Sequence, residues 1–455
     1  MLTRYLYANA GYQPHRDALV HGDRRITHAE LLERVERLAE ALRERGIRAG
    51  DAVGLVLPNG PPLATAFLAI TGIGAIVVPL NPQFKVDELA YCLNACGVRE
   101  VLADEGDIER MIAGSVRRPI DPRLPEETFV YQFSSGSTGR PKRLARTHGQ
   151  LWAEAESYTW ITSDDRLFCA LPLFHTYGMG CCLVAAVRNA ATLVFLDSTH
   201  PFLLSRTRAL ELLERERVTV FPGVPFHYRH LADAPTNANL TALRLCFSAG
   251  TALPRDTFDA FARRYGIVVR QLYGCTEAGT LTANLDPDPI ATFASVGKPT
   301  GAVRVRVEDD EIVVSSPAMT RGYADDPELN RRAFRDGWFY TGDTGRFDQL
   351  GRLYVTGRRK LLIEVAGHKV DPIEVEDILA VHPKVREAVV VGIPNGKDGE
   401  EIVKAVIVPA NHPQERELIE FCSQRLANFK VPRVVEFRDE IPRSPLGKVL
   451  RKYLV

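Results

Sequence analysis

The segment that decides the fold of this 455-residue chain covers residues 129–142 and reads Phe-Val-Tyr-Gln-Phe-Ser-Ser-Gly-Ser-Thr-Gly-Arg-Pro-Lys. An apolar run of strand character ends at Phe133, and the loop after it carries four hydroxyls, two glycines and two cations. Glycines let backbone N–H groups turn toward an anion, hydroxyls add donors, and Lys142 adds positive charge. The segment therefore predicts a polyphosphate-binding loop at the end of a core strand. It is not a Walker A loop, because no Gly-Lys-Ser/Thr closes it, and P-loop kinase or ATPase chemistry is disfavoured.

Strands and helices alternate on both sides of this loop. Thr27-His28-Ala29-Glu30 is a capping box, and apolar residues at helical spacing follow it until Gly46. The same patterns predict further helices at 63–71, 86–95, 203–216 and 255–265, and strands at 52–57, 75–78, 99–103, 218–221, 244–248 and 268–272. Such alternation indicates mostly parallel sheets covered by helices, arranged as two α/β layers.

The pattern changes toward the C-terminus. A period of two at 303–307, 311–314 and 352–355 predicts a small antiparallel sheet or distorted barrel. After Gly357 an α+β pattern returns, with helices at 373–381 and 415–427 and strands at 388–393 and 401–408. We therefore expect an α/β multidomain chain: a large N-terminal domain over residues 1–359, made of two α/β layers and the small barrel, and a smaller α+β domain over 360–455.

Composition excludes several classes of protein. Hydrophobic residues make up 45% and charged residues 25% of the chain, which is typical of a globular protein and not of a disordered one. Lys plus Arg and Asp plus Glu are both 57, so no global charge points to nucleic acid or an anionic membrane. The eight cysteines form no C-x-x-C pair, and we expect reduced thiols in a cytoplasmic protein. The charge-free stretch 52–84 is broken by prolines and glycines, which favours a buried core over a membrane span.

Further motifs make nearly the whole chain resemble the adenylate-forming superfamily, which includes acyl-CoA synthetases, nonribosomal peptide adenylation domains and firefly luciferase. Besides the 53–82 region, they are Gln-Leu-Tyr-Gly-Cys-Thr-Glu at 271–277, Trp-Phe-Tyr-Thr-Gly-Asp at 338–343, Gly-Arg at 357–358, Gly-His-Lys-Val-Asp-Pro-Ile-Glu-Val-Glu at 367–376, and Pro-Arg-Ser-Pro-Leu-Gly-Lys at 442–448. The resemblance implies that ATP activates a carboxylic acid to an acyl-adenylate, with release of pyrophosphate. The acyl group then passes to a thiol.

The resemblance also implies a nucleotide and metal site. Thr276 would hydrogen-bond the α-phosphate, and Glu277 would hold Mg²⁺, which a carboxylate oxygen suits. Asp343 would accept hydrogen bonds from the ribose hydroxyls, with Arg358 assisting at the ribose or phosphate. The remaining nucleotide contacts would come from Ser134, Ser135, Gly136, Ser137, Thr138, Gly139 and Lys142 at the β- and γ-phosphates, and from Ser248, Ala249, Gly250, Tyr273 and Gly274 around the adenine.

Three residues of the predicted C-terminal domain resemble residues that the family uses for catalysis, domain rotation and thiol access. Lys448, in a Pro/Gly-rich turn, would be the catalytic lysine that reaches both the carboxylate and the phosphate in the transition state. Lys360 would be the hinge about which a mobile C-terminal domain rotates between the two half-reactions. Gly367 would line the passage of the pantetheine arm, where a side chain would block the thiol.

The stretch Leu-Pro-Leu-Phe-His-Thr-Tyr-Gly at 171–178 resembles the acid-pocket motif of acyl- and aryl-CoA ligases. His175 is a candidate catalytic residue, as a gate or as a neighbour of the carboxylate. The alternative is a structural histidine that is buried in the core with its hydrogen bonds satisfied. No aspartate stands nearby for an ammonium group, which disfavours an α-amino acid. The apolar candidates for the pocket predict an aromatic or medium-chain aliphatic acid: Phe174, Tyr177, Phe221, Val224 and Phe226.

Three departures from the family pattern leave the acceptor open. Arg143 replaces a glycine, Glu364 stands where a lysine is common, and the region between Ala103 and Glu126 is short. We expect coenzyme A as the acceptor, and the phosphopantetheine of a carrier protein is the alternative. A catalytically inactive, nucleotide-binding regulatory protein is the alternative from another class, which the presence of Lys448 and Glu277 disfavours.

Overall fold

The computed structural model describes residues 2–134, 142–197, 200, 202–324, 326–358, 362–395, 400–442 and 451–455. The chain divides into two compact units. The larger unit comprises Met1–Pro82, Leu93–Gln132 and Arg143–Gly357, and the smaller comprises Gln83–Cys92, Phe133–Lys142 and Arg358–Val455. All eight cysteines carry thiols and no disulfide.

The helices and strands follow each other along the described chain. The helices are α1 (Leu2–Tyr12), α2 (His28–Glu44), α3 (Pro61–Gly72), α4 (Val86–Ala95), α5 (Glu105–Gly114), α6 (His148–Ala155), α7 (Thr176–Gly178), α8 (Ala185–Asn189), α9 (Phe202–Arg215), α10 (Pro225–Ala232), α11 (Arg255–Tyr265), α12 (Pro327–Ala333), α13 (Pro372–Ala380) and α14 (Glu415–Ser423). A π-helix, Met179–Val184, joins α7 to α8. The strands are β1 (Asp17–His21), β2 (Arg24–Thr27), β3 (Ala52–Leu55), β4 (Ile76–Pro79), β5 (Val98–Leu102), β6 (Thr128–Ser134), β7 (Lys142–Thr147), β8 (Arg166–Cys169), β9 (Thr192–Phe195), β10 (Val220–Gly223), β11 (Leu245–Ser248), β12 (Val269–Cys275), β13 (Gly279–Ala283), β14 (Lys298–Pro299), β15 (Arg304–Glu308), β16 (Glu311–Ser315), β17 (Phe334–Arg335), β18 (Trp338–Phe347), β19 (Leu353–Arg358), β20 (Ile363–Val365), β21 (His368–Val370), β22 (Val385–Pro394), β23 (Glu401–Pro409) and β24 (Val434–Phe437).

The larger unit contains the two predicted α/β layers. One is a nine-stranded sheet of order β14-β13-β12-β11-β10-β8-β9-β1-β2, in which the strands from β12 to β1 run parallel. The other is a five-stranded sheet of order β5-β3-β4-β6-β7, where β3 pairs in parallel with both β4 and β5. A third sheet, β15-β16-β18-β17 with β19 beside β18, is the predicted small antiparallel sheet. The α/β fold class is confirmed.

The capping box that the sequence predicts is present at the start of α2. The Thr27 Oγ1 accepts a hydrogen bond from the Glu30 amide at 3.2 Å, and the Glu30 carboxylate accepts one from the Thr27 amide at 2.8 Å. Val35 and Leu38, on the apolar face of α2, are fully buried. Every residue of α3 is buried as well, so the charge-free stretch lies in the core of the larger unit. No helix in the described ranges is long and apolar enough to cross a membrane.

The nine-stranded sheet separates two apolar cores. Successive side chains of a strand point to opposite faces, so Val220 packs into one core and Phe221 into the other. Leu167 and Phe168 of β8 divide in the same way. The first core extends to the helices of the five-stranded sheet and includes Phe247 of β11. This division decides which residues of β10, β11 and β12 can face one common cavity.

The smaller unit has the predicted α+β character. The strands β22 and β23 pair antiparallel, and β23 pairs in parallel with β24. Its core gathers Val375 and Leu379 of α13, Leu418 of α14 and Ala405 of β23, all of them buried.

A buried ion pair lies inside the larger unit, next to the first core. Arg146 of β7 and Glu154 of α6 are almost fully buried, with Nη2 and Oε2 only 2.6 Å apart, in a close ion contact rather than an aligned hydrogen bond. The same Nη2 donates to the carbonyl of Ala318 at 3.2 Å, and Glu154 also accepts a hydrogen bond from the Tyr158 hydroxyl at 2.8 Å. Burying two charges is tolerated only because each compensates the other.

The substitution Arg146→Met is expected to lower the free energy of unfolding of the larger unit by about 3–5 kcal/mol, because Glu154 would stay buried without its cation. Urea unfolding followed by tryptophan fluorescence measures the loss. The control is Arg332→Met, which breaks an exposed pair with Glu328 on α12 and should cost less than about 1 kcal/mol. Equal effects of the two substitutions would contradict a structural role for the buried pair.

Candidate functional site

The candidate adenine residues lie where parallel strands end. Ser248 is the last residue of β11 and stands beside Gln271 of β12 in the parallel register. Gly250 follows with φ of +92°, a left-handed conformation that favours glycine. The Ser248 hydroxyl is fully buried and has no hydrogen-bond partner among the described residues. Ligands of open α/β sheets bind at such carboxyl ends, so the position fits a nucleotide.

Asp343, the candidate for ribose binding, is hydrogen-bonded to Tyr273, a candidate for adenine binding. The Tyr273 hydroxyl of β12 donates to Oδ2 of Asp343 on β18 at 2.7 Å. Burial, and then the negative charge of Asp343, raise the pKa of Tyr273 well above its ordinary value, so this tyrosine stays a donor. The Asp343 amide in turn donates to Thr341 Oγ1 at 3.1 Å. The structure therefore joins two motifs that lie 70 residues apart in the chain.

The turn that carries Thr276 and Glu277 connects β12 to β13. The Tyr323 hydroxyl donates to Glu277 Oε1 at 2.7 Å, and the Glu277 carbonyl accepts from the Thr320 amide at 2.8 Å. The pKa of Tyr323 is raised by burial and by the Glu277 charge. Sequence reasoning missed Tyr323; the available signal was the neighbouring Gly322, whose φ of +132° favours glycine.

The same turn rests on the buried ion pair. Gly279 has φ of +71°, and a Cβ placed there would lie 2.6 Å from the Glu154 carboxyl carbon. Only glycine fits this position, because both the backbone conformation and the space exclude a side chain. The Glu154 carboxylate therefore packs directly against Gly279, the residue at which the Thr276–Glu277 turn enters β13.

The acid-pocket motif places its histidine at the surface. His175 is exposed, and its Nδ1 accepts a hydrogen bond from the Tyr177 amide at 3.2 Å, capping the short α7. Phe174 and Tyr177 are half-buried. The catalytic role of His175 stays a prediction.

The other three candidates for the acid pocket lie in different surroundings. Phe221 points into the second core, on the opposite face of the sheet from Val220. Phe226 packs edge-on against His230 at 4.2 Å between ring centroids. Val224 stands immediately before α10 and packs against the first core. Their part in acid binding stays a prediction.

A narrow cavity opens on the first-core face of the sheet. Tyr177 is the one sequence candidate among the residues that line it, which are Tyr158, Trp160, Ile161, Tyr177, Cys181, Val220, Pro222, Phe247 and Leu272. Sequence reasoning missed the others because they belong to no motif. Residues 158–161 lie in the turn region between α6 and β8, and Cys181 faces inward from a π-helix that hydrophobic spacing does not reveal.

Several candidates lie outside what the structure describes. These are residues 135–139, Lys360 and Lys448, together with the side chains of Ser134 and Arg358. Lys142 begins β7 and is buried. Gly367 forms the turn between β20 and β21 with φ of +81°, directly after Ala366 with φ of +48°.

Comparison with known proteins defines the class to which this fold and site belong. Residues 6–324 match the AMP-binding enzyme family, and residues 374–448 match the AMP-binding enzyme C-terminal domain. The chain therefore belongs to the AMP-binding enzyme family. Its predicted membership of the adenylate-forming superfamily is confirmed.

Named relatives cover nearly the full chain. A feruloyl-CoA synthase from Amycolatopsis sp is 34% identical over 97% of this chain and 96% of its own length. A 2-succinylbenzoate–CoA ligase from Bacillus cereus is 29% identical over 100% and 98%. These matches confirm the predicted enzyme class, an acid–thiol ligase.

Two solved structures share the fold. An o-succinylbenzoate CoA synthetase from Bacillus subtilis superimposes with a TM-score of 0.90, at 28% identity, over 99% of this chain and 97% of its own. An amide bond synthetase from Marinactinospora thermotolerans superimposes with a TM-score of 0.88, at 30% identity, over 100% and 98%.

We expect Tyr273→Phe to weaken AMP binding by about 10- to 100-fold, which corresponds to the roughly 1.5–3 kcal/mol of a hydrogen bond to a charged group. The Asp343 carboxylate would lose the donor that orients it toward a ribose. Isothermal titration with AMP measures the change. Tyr265→Phe is the control, because that half-buried hydroxyl donates to the carbonyl of Leu231. Unchanged AMP affinity in Tyr273→Phe would contradict the assignment of Asp343.

Proposed function

We propose that this protein uses ATP and Mg²⁺ to activate an aromatic or medium-chain carboxylic acid and then transfers the acyl group to coenzyme A. The observation that carries the proposal is the pair of tyrosine–carboxylate hydrogen bonds, Tyr273 to Asp343 and Tyr323 to Glu277. They orient two acidic groups of separate motifs around one strand end. The names of the relatives, which are CoA synthases and CoA ligases, support the acceptor.

The first half-reaction brings negative charges together. A carboxylate oxygen attacks the α-phosphorus of ATP, the new O–P bond forms, and the bond to the pyrophosphate oxygen breaks. Catalysis is then mainly positioning and charge neutralisation. Thr276 would donate to the α-phosphate, Asp343 would hold the ribose, and the loop from Ser134 to Lys142 would enclose the β- and γ-phosphates.

Glu277 fits the predicted metal. No group of three or more His, Cys, Asp or Glu side chains stands together as a metal site in the described ranges. Mg²⁺ commonly takes one or two carboxylates and completes its shell with water and substrate phosphates, so one glutamate suffices. Bound there, the ion would neutralise phosphate charge. Tyr323 would keep the Glu277 carboxylate in place for it.

The second half-reaction needs a thiol. The CoA sulfur gives up its proton to solvent and forms a bond to the acyl carbon, and AMP leaves with the electrons of the broken acyl–oxygen bond. We assign the adenylation step to Lys448, the hinge to Lys360 and the thiol passage to the Gly367 turn. His175 would act as a gate or as a neighbour of the carboxylate. Loading of a carrier-protein phosphopantetheine is the alternative for the acceptor.

The test is release of pyrophosphate from ATP and Mg²⁺ with a panel of aromatic, medium-chain and long-chain acids, with and without CoA. Wild type should release pyrophosphate with one class of acid and form a thioester only with CoA. In Lys448→Ala the rate should fall by at least about 100-fold, because a transition-state cation is lost. The control is Lys384→Ala, a lysine of the smaller unit that pairs with Glu417 at 2.9 Å.

The outcomes separate the alternatives. Pyrophosphate release without a CoA thioester would favour a carrier protein as the acceptor. No release with any acid, despite AMP binding, would favour the regulatory protein and contradict the proposed activity.

Tyr323→Phe should raise the Mg²⁺ concentration needed for half-maximal pyrophosphate release by about 10-fold, because the carboxylate of the metal ligand loses its orienting donor. Magnesium titration at saturating ATP measures this. The matched control is Tyr340→Phe, whose hydroxyl makes the same kind of bond, 2.8 Å to Glu308. If both variants show the wild-type magnesium dependence, Glu277 is not the metal ligand that Tyr323 positions.

A further inference from the structure

We propose that Trp160 is the movable wall of the acid pocket and restricts this enzyme to compact, single-ring acids. The inference rests on the proposed function and names the substrate class within it. It starts from the narrow cavity on the first-core face of the nine-stranded sheet. The free space inside is about 10 Å³, roughly enough for one water molecule. An acid side chain can therefore enter only if a wall moves.

Tyr158, one of the lining residues, is held rigidly by hydrogen bonds. The Tyr158 hydroxyl lies 2.8 Å from Glu154, 3.0 Å from the Thr280 hydroxyl and 3.6 Å from the Cys181 sulfur. Glu154 is itself fixed by the buried Arg146. Moving this tyrosine would break a buried polar network, which is costly because each group would be left unpaired away from water.

The strand walls are rigid as well. Pro222 of β10 and Phe247 of β11 are register partners in the parallel sheet, and both are buried. Turning the Phe247 ring would disturb the tightly packed first core to which it belongs, and the Pro222 ring is locked to its own backbone. Leu272 of β12 and Ile161 are also buried.

Two lining residues reach the surface, Tyr177 and Trp160. Tyr177 belongs to the helical stretch that continues into the π-helix, and its ring is anchored at its tip, because its hydroxyl donates to the carbonyl of Phe247 at 3.4 Å. Trp160 lies in the turn region between α6 and β8, and among the described residues its ring has packing contacts only, at 5.7 Å to Tyr158 and 5.8 Å to Phe247 between ring centroids. Its backbone is fixed, because its carbonyl accepts from Arg244 at 2.5 Å. The indole is therefore the part of the wall that can turn while the main chain stays in place.

The chemistry of the walls selects the occupant. Four aromatic rings line the space, those of Tyr158, Trp160, Tyr177 and Phe247, and aromatic pairs gain from offset or edge-to-face contact. A flat ring can enter by displacing the indole and then pack against it. A long aliphatic chain would need an exit to solvent, and Trp160 and Tyr177 are the lining residues that reach the surface.

The experiment compares pyrophosphate release with benzoate and with dodecanoate in wild type, Trp160→Ala and Trp160→Leu. Wild type should prefer benzoate. In Trp160→Ala the ratio of kcat/KM for dodecanoate to that for benzoate should rise by at least about 10-fold, and Trp160→Leu should lie between the two. Because leucine keeps the site apolar, Trp160→Leu still tests the inference if Trp160→Ala destabilises the turn. The matched control is Trp152→Ala, which removes a half-buried tryptophan stacked on Tyr5 at 4.9 Å, outside the cavity.

Failure of the Trp160 inference and failure of the proposed function give different results. A wild-type substrate ratio in both Trp160 variants, with benzoate turnover intact, would overturn the inference and leave the proposed function standing. Equal use of dodecanoate and benzoate by wild type would overturn it too. If wild type releases no pyrophosphate with any acid of the panel, the proposed function fails and the inference falls with it.

Discussion

The parallel register of β10, β11 and β12 is the constraint on which the candidate site depends. Backbone pairing sets Pro222 beside Phe247 and Ser248 beside Gln271. One face of these strands then supplies walls of the narrow cavity, while their carboxyl ends supply the candidate adenine residues. Because side chains alternate between faces, Phe221 is directed into the second core instead. The register thus places lining residues of the cavity and the candidate adenine residues at neighbouring positions of the same strands.

Buried tyrosines complete the arrangement by fixing carboxylates. Tyr273, Tyr323 and Tyr158 each donate to an acidic side chain, respectively Asp343, Glu277 and Glu154. Burial is the largest cause that raises the pKa of each of the three hydroxyls, so they stay protonated and remain donors. A neutral donor orients a carboxylate without cancelling its charge.

Local signals predicted many elements closely, and the errors have physical causes. The patterns for α4 and α11 match the observed bounds, Val86–Ala95 and Arg255–Tyr265. The strand expected to end at Leu272 continues to Cys275, because pairing with β13 extends it, and that pairing is not local in the sequence. The final long helix, expected to reach 427, ends at Ser423. The π-helix also escaped prediction, since its wider turn breaks the 3.6-residue period.

The sequence by itself determined the alternation of strands and helices, the family and the residues of the recurring motifs, because each of these depends on local spacing and residue type. Tertiary structure alone decided which motifs meet. Tyr273 and Asp343 lie 70 residues apart, and Tyr323 and Glu277 lie 46 apart, so only the tertiary packing of separate elements brings their side chains within hydrogen-bond distance. The cavity walls at Tyr158, Trp160 and Cys181 carry no motif at all. They become a pocket only because the fold packs two separate segments against one face of a sheet.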